Sequence, residues 1–306
     1  MFSRRKNMEE ASKNNNSIRG IVHIIFAALC FSLMTLFLKL AGDLPVMEKA
    51  FFRNIVAFLI TAILLSRSEE KFKVKRSSWV GIILRSAFGT AGLIANFWAV
   101  DRIGLADSNM LNKMSPFFAM LMSIFILKEE PDRLEWGALI IAFLGVIFVV
   151  KPSAGMASLP AFVGLFGGFA AGTAYTFLRK VTMRGERGPI VVMCFSLFST
   201  LVTLPFLIFD YEPMSLKQLV FMLLAGVAAM GGQMNITAAY TYAPAKEISI
   251  FDYSQVLFAA LWGILFFAEL PDWYSIAGYV IIIGAGVFRW YYILHMKDKN
   301  KETENA

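Results

Sequence analysis

Apolar residues follow one another along this chain in ten long blocks, separated by short polar stretches. Each block is roughly 18 to 25 residues long, the length that an α-helix needs to cross about 30 Å of hydrocarbon. Backbone exposed to lipid must form its hydrogen bonds within its own segment, so the spans are helices. The pattern predicts an all-α integral membrane protein. Its ten transmembrane helices lie at about 18–41, 46–66, 79–100, 105–127, 133–150, 159–180, 189–209, 215–240, 244–267 and 273–294.

Composition and charge agree with a membrane protein. The 306 residues are 58% hydrophobic and only 17% charged, with a mean hydropathy of +0.62, whereas soluble domains are about 25% charged. The net charge of +7 does not indicate a nucleic-acid partner, because the basic residues cluster in short loops and tails. The tail 1–17 and the loops on its side, such as 67–76, carry most of them, which predicts that both termini are cytoplasmic. We expect the protein to lie in a bacterial inner membrane. The predicted opposite side holds only Lys49, Arg102, Lys151 and Lys217.

Motifs for catalysis are missing from the sequence. Its two histidines and two cysteines lie far apart, so no disulfide, metal site or catalytic triad is predicted. The chain has no P-loop, no H-E-x-x-H and no G-x-S-x-G, which argues against an ATP-driven pump and against an enzyme. No cofactor is expected.

The two halves of the chain resemble each other at an offset of 140 residues. FFAMLMSIFILKEEPD at 117–132 aligns with LFAALWGILFFAELPD at 257–272, and both copies end in E-x-P-D. Each half has five predicted spans, an odd number, so the second copy enters the membrane in the opposite sense. We expect a cytoplasmic tail at 1–17, inverted five-helix repeats at 18–150 and 151–294, and a cytoplasmic tail at 295–306. Inverted repeats are typical of secondary transporters, whose substrate sites lie near the midplane between the repeats.

Two five-helix repeats, each ending its fourth helix in an acidic residue before a short Pro-containing loop, resemble the EamA family of the drug/metabolite transporter superfamily. The resemblance covers about 18–294. It implies a ten-helix carrier with a central cavity that moves amino acids or other small metabolites, often outward. It does not define the transported compound.

Polar residues interrupt the fourth span in the stretch NMLNKMSPFF, residues 109–118. Asn109, Asn112, Lys113 and Pro116 are spaced by three and four residues, which places them on one helix face. Proline has no N–H to offer the carbonyl of Asn112 and clashes with it. Such a freed carbonyl is tolerated at membrane depth only beside protein or a watery cavity.

The 140-residue offset places SIFDYSQVLF, residues 249–258, opposite that stretch. Asp252 aligns with Asn112, Tyr253 with Lys113, and Gln255 with Ser115. Charges within a span are costly and indicate function. Two interpretations remain open. Lys113 and Asp252 bind the acidic and basic groups of a substrate, with protons as a candidate coupling ion at Asp252, or they pair with each other and fix helix packing.

Other polar positions complete the candidate substrate-binding set. Arg85 and Asn96 share a stripe of the third helix with Gly89 and Gly92, although Arg85 is near enough to the cytoplasmic end to extend its side chain there. Asn235 lies at mid-span in the eighth helix. The full set is Lys113, Asp252, Asn112, Asn96, Asn235, Tyr253, Gln255, Tyr175, Asn109 and Arg85.

Further features of the spans have more ordinary explanations. Lys39 and Arg179 are aligned in the two repeats, and snorkelling explains their positions near helix ends. Arg53, near the outer end of the second span, is a candidate for an outer vestibule. Small residues at G-x-x-x-G spacing in the sixth helix indicate close helix packing. They are Gly164, Gly168 and Gly172.

These observations predict a secondary active transporter that exports small polar or zwitterionic metabolites, such as amino acids, by alternating access. The alternative is an importer of a nucleoside-, vitamin- or adenosyl-type metabolite that stacks on aromatic side chains. A channel and a membrane-embedded enzyme are disfavoured. The expected partners are a small-molecule substrate and the lipid bilayer, and the sequence leaves a monomer and a homodimer open.

Overall fold

The computed structural model describes residues 2–69, 72–128, 130–131, 133–150, 158–242 and 249–295. Within these ranges the chain forms eleven α-helices and no strand. They are α1 (Phe2–Leu40), α2 (Val46–Ser66), α3 (Trp79–Ile103), α4 (Leu105–Asn112), α5 (Ser115–Ile126), α6 (Arg133–Val150), α7 (Ser158–Met183), α8 (Gly188–Phe209), α9 (Leu216–Tyr242), α10 (Ser254–Phe267) and α11 (Trp273–His295). Short 3-10 turns at Arg76–Ser78 and Ser249–Tyr253 precede α3 and α10.

The helices confirm the membrane class. Seven helical segments in the described ranges are long and apolar enough to cross a bilayer, and a shorter apolar helical segment covers Phe251–Phe267. Large apolar side chains are exposed on the outer surface, among them Phe26, Ile140 and Phe209. The seven segments are Ile18–Leu40, Val46–Ser66, Arg76–Ile103, Leu159–Met183, Gly188–Phe209, Leu216–Ile236 and Trp273–Tyr292.

The prediction of one continuous helix over 105–127 is wrong. The helix stops after Asn112, and Lys113 and Met114 form a turn before α5 begins at Ser115. Pro116 occupies the first turn of α5, where its missing N–H is not needed. The proline therefore separates two helices and does not merely release one carbonyl. Helix α1 begins at Phe2, so it extends the first predicted span through the segment before residue 18. The cytoplasmic location of that segment stays a prediction.

Helix packing relates the two halves of the chain. The N-terminal helix α1 packs along α9, and α3 packs in the same way along α7. Helices α2 and α8 pack together, as do α6 and α11. One close approach recurs at the 140-residue offset: a Cβ at Gly92 would lie 3.0 Å from the backbone N of Ala171, and a Cβ at Gly232 would lie 2.6 Å from the ring of Phe31. Equivalent glycines thus bring equivalent helices together.

Candidate substrate-binding site

A lysine and a carboxylate meet where one helix is interrupted and another begins with a 3-10 turn. Lys113 follows the last residue of α4, and Asp252 lies in the 3-10 turn that leads into α10. Lys113 Nζ lies 2.6 Å from Asp252 Oδ2, and the two side chains are 8% and 15% exposed. The other carboxylate oxygen, Asp252 Oδ1, is buried and has no hydrogen-bond partner among the described residues. This ion pair therefore retains one unused acceptor.

The break after α4 and the end of the 3-10 turn before α10 occupy the same register in the two halves. Lys113 aligns with Tyr253 at the 140-residue offset, and Tyr253 is the last residue of the 3-10 turn. In the first half, Pro116 enforces the break. The second half has Val256 at the aligned position, and there the 3-10 turn continues directly into α10. The ion pair thus joins the break after α4 in one half to the 3-10 turn that begins α10 in the other half.

Side-chain amides connect the same elements beside the ion pair. Gln255 Nε2 donates to Asn109 Oδ1 at 2.5 Å, and Asn109 Nδ2 donates to the Leu105 carbonyl at 2.7 Å. From α3, Asn96 Nδ2 donates to the Ser108 carbonyl at 3.4 Å. The structure thus brings Asn96, Asn109 and Gln255 close to the helix breaks, where their bonds hold α3, α4 and α10 together.

The glycines of α7 form the surface against which the break rests. A Cβ at Gly168 would lie 2.5 Å from the carbonyl oxygen of Leu111, with the half-buried Asn112 alongside. A Cβ at Gly172 would lie 2.5 Å from the carbonyl oxygen of Ser115. Since only glycine leaves room for these carbonyls, the G-x-x-x-G spacing positions the interrupted helix that carries Lys113.

Tyr175 on α7 faces an open space inside the protein. Its side chain is 38% exposed although Ala174 and Thr176 beside it are buried. It lies nine residues after Phe166, whose ring is exposed on the outer surface, so the 100° turn per residue places the two on opposite faces of the helix. The hydroxyl lies within electrostatic range of Arg53, Arg85 and Asp252, which belong to three other elements. The exposed surface of Tyr175 therefore lines an interior space.

The Arg85 side chain does not extend towards the Trp79 end of α3. The sequence had left open an orientation towards that end, which is predicted to be cytoplasmic. A Cβ at Gly89 would lie 2.5 Å from Arg85 Nη1, so the guanidinium lies one turn further from the Trp79 end of the helix. Long helical side chains normally lie over the preceding turn. The guanidinium is also stacked on Phe195 of α8, 4.1 Å from the ring centroid. Arg85 thus points into the interior.

Two of the predicted residues have other surroundings. Tyr253 is 7% exposed and packs in an apolar cluster that includes Met110, and its ring abuts Gly286 of α11. Asn235 Oδ1 lies 2.8 Å from His23 Nδ1, and Asn235 Nδ2 donates to the Gly231 carbonyl at 2.9 Å. Asn235 joins α9 to α1, and its hydrogen bonds do not extend to the ion pair.

Glu269, which the sequence suggested only as the end of a repeat, has a specific role. It forms an ion pair with Lys39 of α1, and its Oε2 accepts the backbone N–H of Leu105 at 3.1 Å. Gly104 adopts φ +88° and would place a Cβ 2.9 Å from the same oxygen. The repeated acidic residue at 129 and 269 was the available signal for this contact.

Other polar contacts at the same end were also not predicted. Lys49 Nζ lies 2.7 Å from Asp101 Oδ2, and the Tyr279 hydroxyl donates to Asp107 Oδ1 at 2.5 Å. We call the Lys39–Glu269, Leu105–Glu269 and Asp107–Tyr279 contacts the latch. Each latch contact joins the first half of the chain to the second.

Membrane-spanning helices, a little-exposed ion pair between nearly aligned positions of the two halves, and equivalent helix packing in both halves are features of a membrane transporter. The chain belongs to the EamA-like transporter family, whose model matches it twice, over 18–151 and 158–289. This confirms the resemblance seen in the sequence, including the two copies. The family match also confirms that the protein is a transporter and not an enzyme. A transporter of this family has a small-molecule substrate and several helices in the membrane.

Individual relatives cover most of the chain. It is 32% identical to the pseudopaline exporter CntI of Pseudomonas aeruginosa, over 87% of this chain and 94% of that protein. It is 26% identical to solute carrier family 35 member G1 of Homo sapiens, over 89% of this chain and 80% of that protein. A protein of known crystal structure superposes with a TM-score of 0.63 at 14% identity, covering 88% of this chain and 95% of that one. The last similarity concerns the fold alone.

Proposed function

We propose that this protein is a ten-span carrier that exports a small polar or zwitterionic metabolite, such as an amino acid, by alternating access. The main supporting observation is the Lys113–Asp252 ion pair, which joins the break after α4 to the 3-10 turn at the aligned position before α10. Discontinuous helices near the midplane typically form the substrate site of transporters with inverted repeats. The symmetric helix pairing and the recurring Gly92 and Gly232 contacts support an inverted arrangement of 18–150 and 151–294.

A zwitterionic substrate fits this pair because it would replace the Lys113–Asp252 contact with two contacts of its own, one to each side chain. Its carboxylate would accept hydrogen bonds from Lys113 Nζ, and its ammonium group would donate to Asp252. The unpaired Asp252 Oδ1 provides an acceptor that the internal pair does not use. Because buried charges are costly unless paired, the lysine and the carboxylate would hold each other until a substrate arrives. A purely cationic drug would instead be repelled by Lys113.

The latch supports alternating access. On the topology predicted from the basic residues, with both termini in the cytoplasm, the Lys39–Glu269 pair and its neighbours lie at the outer end. They join the two halves of the chain at that end, which would keep it closed while substrate enters from the cytoplasm. Release to the outside would require these contacts to break. The name of the 32% identical relative, an exporter, supports the outward direction.

The first test compares ligand binding to wild type and to Lys113→Ala. Purified protein in lipid is screened by thermal shift against amino acids and other polar metabolites, with Lys217→Ala as a matched control. Lys217 is exposed near the start of α9, so its loss removes the same charge away from the site. We expect ligands that stabilise wild type and Lys217→Ala and fail to stabilise Lys113→Ala. Equal stabilisation of all three proteins would make Lys113 structural.

Transport itself is tested in proteoliposomes with a ligand found in the thermal-shift screen. Preloaded, unlabelled substrate should accelerate the entry of labelled substrate, and the effect should saturate. Linear uptake without counterflow would indicate a channel. Direction is tested in cells that lack the gene. We expect the substrate to accumulate inside them, whereas depletion would indicate an importer.

A further inference from the structure

Two buried arginines face the same aromatic ring from different helices. Arg53 of α2 and Arg85 of α3 are 3% and 4% exposed. Their guanidinium carbons lie 5.6 Å and 4.1 Å from the centroid of the Phe195 ring, and the two charges are close enough to repel each other. Tyr175, which lines the interior space, interacts electrostatically with both. The arrangement concentrates two positive charges near Tyr175, which also lies within electrostatic range of Asp252.

Neither guanidinium has a carboxylate partner among the described residues. Arg53 Nη1 donates to the neutral Asn54 Oδ1 at 2.5 Å, and Arg85 makes no hydrogen bond there. The Nε atoms of both are buried and unpaired. Other little-exposed cations in the described ranges do have carboxylates. These are Lys39 with Glu269, Lys49 with Asp101, Lys113 with Asp252, and Arg289 with Glu135.

Such an arrangement is unfavourable in the absence of a ligand. Removing an ion from water costs several kcal/mol unless a counter-charge or hydrogen bonds compensate, and a second like charge nearby adds to the cost. The orientation of Arg85, turned inward over Gly89, brings its charge towards Arg53. An ionisable residue inside the membrane without a counter-charge is by default a candidate functional site. The missing component is an anion.

We propose that Arg53 and Arg85 form an anionic subsite that binds a carboxylate or phosphate group of the transported metabolite. Each planar guanidinium offers a fork of donors that matches such a group. This inference rests on the proposed function, because the zwitterionic part of the same molecule would lie at Lys113 and Asp252. The substrate class becomes narrower: an amino acid-like zwitterion with an additional acidic group and a net negative charge.

The proposed subsite predicts that the loss of one arginine lowers the affinity for an anion and raises the melting temperature of the ligand-free protein. Replacing either arginine with the neutral glutamine should weaken the binding of an anion. The same change should raise the melting temperature of the ligand-free protein, because it removes an uncompensated buried charge. A merely structural arginine would give a lower melting temperature instead, so the ligand-free protein already separates the two roles.

The test uses two pairs of probes that differ by one acidic group. Binding of L-glutamate is compared with L-glutamine, and O-phospho-L-serine with L-serine, to wild type, R53Q, R85Q and R102Q at constant ionic strength. Arg102 is a matched control, since it also stacks on an aromatic ring, 3.8 Å from the Trp98 centroid, but is exposed. The carboxylate and phosphate arms distinguish the two anion sources.

We expect wild type and R102Q to prefer the acidic member of at least one pair by about tenfold or more, as for a charge-assisted hydrogen bond. R53Q and R85Q should each lose that preference and melt at a higher temperature without ligand. A preference that survives in both variants, or its absence from wild type, would overturn the subsite. If wild type binds glutamine or serine through Lys113 without acidic preference, only the subsite is wrong. If it binds none of the four, both proposals fall.

Discussion

The ion pair between Lys113 and Asp252 predicts strong energetic coupling between the two side chains. At 2.6 Å and an effective dielectric constant of about 20, two unit charges attract each other by about 6 kcal/mol. Much of this is offset by the desolvation of both groups, which are 8% and 15% exposed. Removing one partner loses the attraction but leaves the other charge buried. Lys113→Met or Asp252→Asn alone should therefore lower the free energy of unfolding by about 3–5 kcal/mol.

The double variant should be more stable than the sum of the single losses predicts. With both charges gone, no uncompensated ion remains, so most of the summed loss should be recovered and the coupling energy should be at least about 3 kcal/mol. The assay is unfolding of the four proteins in one lipid environment. Each single variant should melt on the order of 6–10 °C below wild type. Irreversible unfolding is compared at one scan rate.

A distant pair provides the control for this cycle. Lys217 is exposed near the start of α9, so Lys217→Met combined with Asp252→Asn should give additive losses. If Lys113→Met and Asp252→Asn are also additive, the two groups do not stabilise each other. The proposed site would then lose its main support.

Gly168→Ala should destabilise the protein by about 1–3 kcal/mol in thermal unfolding, because the new Cβ would lie 2.5 Å from a carbonyl oxygen. Gly137→Ala is the control: its Cβ would meet open space, so the change should be neutral or stabilising. Asp101→Asn leaves Lys49 almost fully buried without a counter-charge and should cost about 3 kcal/mol. Lys49→Met leaves the Asp101 carboxylate, which is 26% exposed to water, and should cost about 1 kcal/mol or less. If the two variants lose equal free energy of unfolding in a denaturant titration, burial of Lys49 does not set the cost. Glu269→Gln should weaken the latch and speed hydrogen exchange of the first amides of α4 about tenfold, and unchanged exchange would exclude a latch role.

Sequence and structure agree where the physics is local. The free energy of placing a segment in lipid is a sum over about 20 neighbouring residues, so the spans are readable from the hydrophobic pattern. The effect of Pro116 is local as well, because it acts on the carbonyl four residues earlier. The sequence located that break but underestimated it, since the division into α4 and α5 depends on the surface that Gly168 and Gly172 offer.

Only the tertiary structure shows which side chains from distant helices pair with each other. Lys113 and Asp252 are 139 residues apart, and the sequence left open whether they meet. Snorkelling was a reasonable expectation for Lys39, yet its amine pairs with Glu269. The orientation of Arg85 depends on the space over Gly89 and on the ring of α8, which no pattern along α3 reveals.

What the sequence determined by itself was the class of the protein, its helical spans, its internal repeat and the polar residues that must avoid lipid. These properties follow from transfer free energies and residue spacing, which depend on the chain alone. The tertiary structure decided which of those polar groups pair and which stay without a counter-charge. Pairing depends on distances of a few ångströms between helices remote in sequence, because ion pairs and hydrogen bonds weaken within about 1 Å of misplacement.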